Sequence, residues 1–175
     1  PNNPRDFKTP NYGMARFSDL FTPRQLLALT TFSDLIGEVV DRVRQDARDA
    51  GMHDDEKPLA EGGDGALAYA QAIATYLAFA VDKMADYSST ICVYSEPFIA
   101  HTFGRQAIPM SWDYAESNPF SESTGCFMNC VEWIYKFMTM HQAVTQSQAR
   151  QFDAQSDCGL RQVVVSSDPP YYDNI

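Results

Sequence analysis

Thr22-Pro23-Arg24-Gln25-Leu26-Leu27-Ala28-Leu29-Thr30-Thr31-Phe32 carries the strongest local signal in the chain, and its reading decides the fold. Thr22 is a natural N-cap, and Pro23 falls at the first helical position, where its missing N–H is no loss. Gln25 completes a Thr-x-x-Gln capping box. Phe21 and Leu26 have the spacing of a hydrophobic staple. Leu26, Leu29, Phe32, Ile36, Val39 and Val43 then recur at steps of three and four, the period that lines one face of a helix. Glu38 and Arg42 are placed to pair one turn apart. Arg42, Arg44 and Arg48 gather toward the C-terminal end, where cations suit the helix dipole, and Gly51 is a natural stop.

Outward from this helix the pattern stays mainly helical. Residues 1–19 read as an extended lead-in, and residues 52–65 as a polar loop with Asp54, Asp55, Glu56, Glu61 and Asp64. A second helix is expected from Ala66 to about Tyr87. It is Ala-rich and apolar nearly all round, which places it at the centre of a helical packing unit. Beyond it come a short β-like run at Ile91 to Tyr94, punctuation by Pro97, Pro109 and Pro119, and a third helix from about Cys126 to His141. On that helix Cys130, Ile134, Phe137 and Met138 share helical spacing, with Trp133 beside them. Residues 145–157 are polar. Gln162 to Val165 form a β-branched run read as a strand leading into Ser166, Ser167 and Asp168.

Composition bounds the function. At 175 residues the chain is about one domain, with 45% hydrophobic and 21% charged residues, a globular balance. The formal net charge of −10 argues against this chain being the main clamp on nucleic acid, since phosphate binding calls for a basic face. The four cysteines, Cys92, Cys126, Cys130 and Cys158, form no dense framework, so reduced thiols and a cytoplasmic setting are expected. Residues 66–81 are too short to span a bilayer and are interrupted by Gln71 and Thr75.

The last eight residues, Asp168-Pro169-Pro170-Tyr171-Tyr172-Asp173-Asn174-Ile175, carry a specific chemistry. The exocyclic amine of adenine or cytosine is a poor nucleophile, because its lone pair is delocalised into the ring. To accept a methyl group, the nitrogen must rehybridise and hold that lone pair toward the sulfonium. The Asp168 carboxylate and the Pro169 carbonyl can each accept one N–H and fix that geometry. Pro169 and Pro170 lock φ and keep the carbonyl rigid. Tyr171 can stack on the face of an extruded base and favour developing positive charge. Catalysis of this kind is positioning plus electrostatics. The structural alternative is a proline turn after a strand, with Asp168 bonded to nearby backbone.

Three stretches, 19–35, 103–116 and 166–175, resemble a large prokaryotic family of adenine-specific DNA methylases that contain a zinc ribbon and a domain of unknown function. The resemblance implies a helical region inserted in or bridging a methyltransferase, and S-adenosyl-L-methionine as methyl donor. It implies Asp168, Pro169, Pro170 and Tyr171 as catalytic residues, Asp168 and Tyr171 beside the cofactor, and Tyr171, Tyr172 and Asn174 against the substrate base. The chain departs from the family in three ways. The glycine-rich loop for the cofactor's methionine end, the downstream aromatic and Arg-rich stretch, and the paired cysteines of a zinc ribbon are all absent. It therefore reads as an internal fragment, not expected to bind the cofactor alone.

Other constellations read as structural. Cys126 and Cys130 lie one turn apart, but His141 and Cys158 are too irregularly spaced to complete a zinc site, so buried core thiols are expected and no metal. In the stretch 103–116, an Arg105–Asp113 pair and a core Trp112 are expected ahead of contacts to a phosphate or base. His53 and His101 have no nucleophile context.

The expected fold class is mainly α, a helical region with a few short strands (residues 1–160), ending in one strand of a truncated α/β methyltransferase sheet (residues 161–175). The expected parent activity is methyl transfer from S-adenosylmethionine to an exocyclic amine of DNA, adenine N6 foremost. RNA amino-methylation and a non-catalytic helical interaction module are the alternatives. Expected partners are DNA, through the full-length protein, and the remainder of the methyltransferase domain, with no membrane.

Overall fold

A computed structural model describes Asn3 and residues 5–141, 151–153 and 155–168. The chain divides into two compact units, residues 1–141 and 142–175. The first holds three helices: α1 (Pro23–Asp49), α2 (Ala66–Asp86) and α3 (Phe127–Met140). It also holds a two-stranded antiparallel hairpin, β1 (Tyr94–Ser95) with β2 (Phe98–Ile99). The protein is thus mainly α.

The capping box starts α1 as its sequence requires. Thr22 Oγ1 accepts the Gln25 N–H at 3.3 Å, and Gln25 Oε1 accepts the Thr22 N–H at 2.7 Å. Leu26, Leu29, Phe32, Ile36, Val39 and Val43 are all half-buried, while most positions between them, Ala28 and Val40 apart, face solvent. α2 packs against both α1 and α3. Its buried face is made of Ala66, Ala68, Ala70, Ala74, Ala80, Val81 and Met84, and the small side chains let the neighbouring backbones approach. The main cluster is Ala80, Met84 and Cys130, covered by Leu29 and Phe32 from α1 and by Phe127, Val131 and Ile134 from α3. Phe32 stacks on Phe127 with ring centroids 4.5 Å apart.

A second cluster sits outside the helices. Leu20, Ile91 and Ile108 are buried together, with Phe7, Met14 and Phe21 packed on them. The lead-in is therefore not simply extended. It forms 3₁₀ turns at Thr9–Tyr12 and Phe17–Leu20 and makes a parallel bridge between Phe7 and Ile108. Thr90 seals the junction, its N–H and its hydroxyl both donating to the Leu20 carbonyl, at 2.7 and 2.9 Å.

Several expectations are corrected. The β character falls at 94–99 and not at 91–94, because Ile91 and Cys92 are drawn into the core as a buried turn. Arg42 pairs with Asp46 at 3.2 Å instead of with Glu38, and Arg44 pairs with Asp54 at 2.7 Å. The acidic loop thus folds back on the end of α1. Asp54 also accepts the backbone N–H of Glu56 at 3.2 Å. At the start of α2, where the N-cap Gly65 has no side chain to offer, the His53 carbonyl accepts the Ala66 N–H at 2.8 Å. Arg105 makes no ion pair with Asp113, and Trp112 is 77% exposed, its ring edge-on to Tyr12 at 5.0 Å. On α3, Phe137 and Met138 are exposed, because the core cluster reaches Ile134 and no further.

The second unit is irregular among its described residues. Arg161 grips Asp157 with two bonds of 3.0 and 2.9 Å, and Gly159 (φ 73°) and Gln162 (φ 56°) turn the backbone. Gln162 to Val165 have no ladder partner among the described residues, and Val164 is 99% exposed. A run of β-branched residues becomes a strand only when its N–H and C=O groups find a neighbour.

Candidate functional site

The expected catalytic motif lies at the margin of what the structure describes. Asp168 is exposed, at the end of the Val163–Val165 run. Pro169, Pro170, Tyr171, Tyr172 and Asn174 lie outside the described residues.

The structure does bring together two of the stretches that the sequence singles out. Arg24, from 19–35, and Glu116, from 103–116, join in a bidentate ion pair, with Nε donating to Oε1 at 2.7 Å and Nη2 donating to Oε2. The pair sets the guanidinium above its ordinary range, first through that hydrogen bond and then through the carboxylate's charge.

Beside this pair is a cavity of about 220 Å³ between α1, the end of α2 and the 116–120 segment. Its floor is polar and well buried. Gln25, Ser88 and Ser117 are 5%, 7% and 6% exposed. Gln25 Oε1 is committed to the cap of α1, while its Nε2 is buried with no hydrogen-bond partner. Ser88 Oγ donates to the Met84 carbonyl at 2.8 Å, and Ser117 Oγ donates to the Tyr87 carbonyl at 3.1 Å. The two oxygens also lie within hydrogen-bond distance of each other, at 3.2 Å, so two hydroxyl protons have three acceptors in reach and neither is spare. Leu29, Met84 and Phe120 make the apolar walls. Gly125, at φ 86°, packs close against Ser117, and an added Cβ there would come 2.8 Å from Ser117 Cβ and 2.9 Å from Tyr87 Cβ. Sequence reading treated Gln25 only as half of a capping box and passed over Ser88 and Ser117. The Asn118-Pro119 turn was the available signal of a wall there.

The remaining chemistry-bearing residues are structural or exposed. Cys126 and Cys130 are buried, as expected of core thiols. Cys126 Sγ accepts the Asn129 N–H at 3.3 Å as the cap of α3, and burial pushes the Cys130 thiol up to about 11. No group of three metal-capable side chains among the described residues includes a cysteine. His53 Nε2 lies 3.0 Å from Asp64, with Asp55 close by, all three exposed. His101 Nδ1 lies 3.0 Å from Asp86 Oδ2, and its ring packs on Tyr87. The described residues contain no helix long and apolar enough to cross a membrane. No family model, curated protein or solved structure matches the chain.

Proposed function

We propose that this chain is part of an S-adenosylmethionine-dependent DNA amino-methyltransferase acting on an exocyclic amine, adenine N6 foremost. One observation carries the reading. An exposed β-branched run, Val163–Val165, is without a ladder partner among the described residues and delivers an exposed carboxylate, Asp168, into Pro-Pro-Tyr. A strand that finds its neighbours in the remainder of a methyltransferase sheet would set Asp168 at the sheet's C-terminal edge, where ligands of open α/β sheets bind.

Asp168 and the Pro169 carbonyl then hold the two amine protons and aim the nitrogen lone pair. Tyr171 supports the ring face. The sulfonium, when bound, would supply an electrophilic methyl, with Asp168 and Tyr171 beside it. The helical unit, with its net acidic composition, is a bridge or scaffold and not the phosphate-binding surface.

The test is single-turnover methylation of a DNA duplex by the full-length protein. Asp168→Ala is expected to slow transfer by at least about 10²-fold, the scale of losing one preorganised polar group. Asp168→Asn should retain more, because its amide oxygen still accepts one N–H. Tyr171→Phe should be mild and Tyr171→Ala severe. Activity that merely tracks thermal stability across the four variants would refute the assignment.

A helical interaction module is the second reading, supported by the exposed apolar end of α3. There Tyr135 is 65%, Phe137 56% and Met140 74% exposed. It predicts neither cofactor binding nor methylation by the full-length protein.

A further inference from the structure

We propose that the cavity beside the Arg24–Glu116 pair is a binding site for a small uncharged carboxamide, distinct from the Asp168 motif. Three observations converge. The first is a donor without a partner: Gln25 is 5% exposed, and its Nε2 has none. The identity of that atom follows from the cap, since the Thr22 N–H can only be received by the oxygen, so the nitrogen is the other arm. A buried donor left unmatched is unfavourable, and an acceptor oxygen placed there relieves it.

The second is an excess of acceptors across the same space. Ser88 and Ser117 have three acceptors in reach for their two protons, the Met84 and Tyr87 carbonyls and each other, so toward a ligand they can only accept, and the Glu116 carboxylate is a further acceptor. One donor set against several acceptors is the complement of a primary amide, which offers one carbonyl and two N–H groups. The third is charge and size. Arg24 and Glu116 neutralise each other, so the lining attracts neither a phosphate nor a polyamine. A cavity of 150 Å³ holds benzene, and this one, at about 220 Å³, takes a six-membered ring with one amide on it. The apolar walls, Leu29, Met84 and Phe120, suit the ring.

Benzamide is the probe, titrated into the 175-residue chain and followed by amide ¹H–¹⁵N spectra. Saturable shifts are expected with a Kd on the order of 1 mM, ordinary for a ligand this small. They should be centred on residues 24–29, 84–88 and 116–120 and include the Gln25 side-chain NH₂ pair. Benzoate, which keeps the carbonyl oxygens but loses both N–H donors and gains a charge, should bind at least about tenfold more weakly. Toluene tests whether the ring alone suffices. Gln25→Glu keeps an acceptor for the Thr22 N–H while removing the Nε2 donor, and should weaken benzamide about tenfold.

The native protein decides the matter even if that variant folds poorly. Saturation without movement of the Gln25 NH₂ resonances overturns the proposal. So does equal affinity for benzamide, benzoate and toluene, or the absence of saturation up to about 10 mM. In each of those cases solvent, not a ligand, is the partner of Gln25.

Discussion

Replacing Met84 with Ala measures whether the three helices share one core. Met84 is 1% exposed and sits where Leu29, Phe32, Phe127, Val131 and Ile134 converge from α1 and α3. The substitution removes three heavy atoms. At about 0.8 kcal/mol for each methylene-sized group, the lost transfer energy is about 2.4 kcal/mol. The vacated space adds roughly 1 kcal/mol on the scale of about 24 cal/mol per Å³. Met84 also lines the 220 Å³ cavity, so one side of it already lacks close neighbours. That pulls the expected cost down to about 3 kcal/mol, a large share of the 5–15 kcal/mol typical of a whole domain. Urea titration followed by far-UV circular dichroism should show the midpoint falling by about 1 M at unchanged slope. Met84→Leu, which conserves volume, should cost under about 1.5 kcal/mol. A midpoint shift under about 0.3 M for Met84→Ala would refute the shared core.

Other outcomes follow from single contacts. Thr22→Ala removes half of the capping box and should cost about 1 kcal/mol in the same titration. A thiol reagent at neutral pH should modify Cys158 at once, while Cys92, Cys126 and Cys130, all buried, should react only as the protein unfolds. Mass spectrometry counts the adducts. The Asp54 carboxyl is held below its usual value of 3.8, chiefly by the Arg44 hydrogen bond. A depressed folded value means that its contribution to stability is present above the unfolded value and lost as pH falls through the folded one. Asp54→Asn should therefore flatten the fall of the urea midpoint on acidification below pH 3.8.

What the sequence made legible was local. The cap and stripe of α1, the alanine-rich centre of α2 and the Cys126 start of α3 are each written within a turn or two of chain, where period and capping chemistry decide the outcome. What stayed hidden was long-range. Nothing near Glu116 announces Arg24 as its partner, 92 positions away. The expectation of an Arg105–Asp113 pair followed the nearest opposite charge in sequence, and the fold chose otherwise. Asp54 shows in the sequence only as one acid of a polar loop, because its partners Arg44 and Arg48 are set beside it by the folding-back of that loop on α1. The β-branched run at 163–165 shows the converse case. Its strand propensity is plain, but propensity supplies no neighbour. For the same reason the cavity floor was invisible, since Gln25, Ser88 and Ser117 meet only once the helices pack.

The clasp between the lead-in and the middle of the chain has a consequence for the order in which the protein can be built. Phe7 bridges to Ile108, Lys8 N–H donates to the Ile108 carbonyl at 3.0 Å, and Ile108 N–H donates to the Asp6 carbonyl at 2.9 Å. Leu20 likewise waits for Thr90 and Ile91. During synthesis these first residues emerge before any of their partners exist. At about 5–20 residues per second, some 5–20 s separate the appearance of Phe7 from that of Ile108. Throughout that interval Phe7, Met14, Leu20 and Phe21 are apolar side chains without cover, and once Asp86 has emerged they lie beside an α1–α2 pair that can already close. A nascent chain stalled with Asp86 outside the ribosome and Ile108 still within it should therefore hold a protease-resistant helical hairpin behind an N-terminal segment that is still cut.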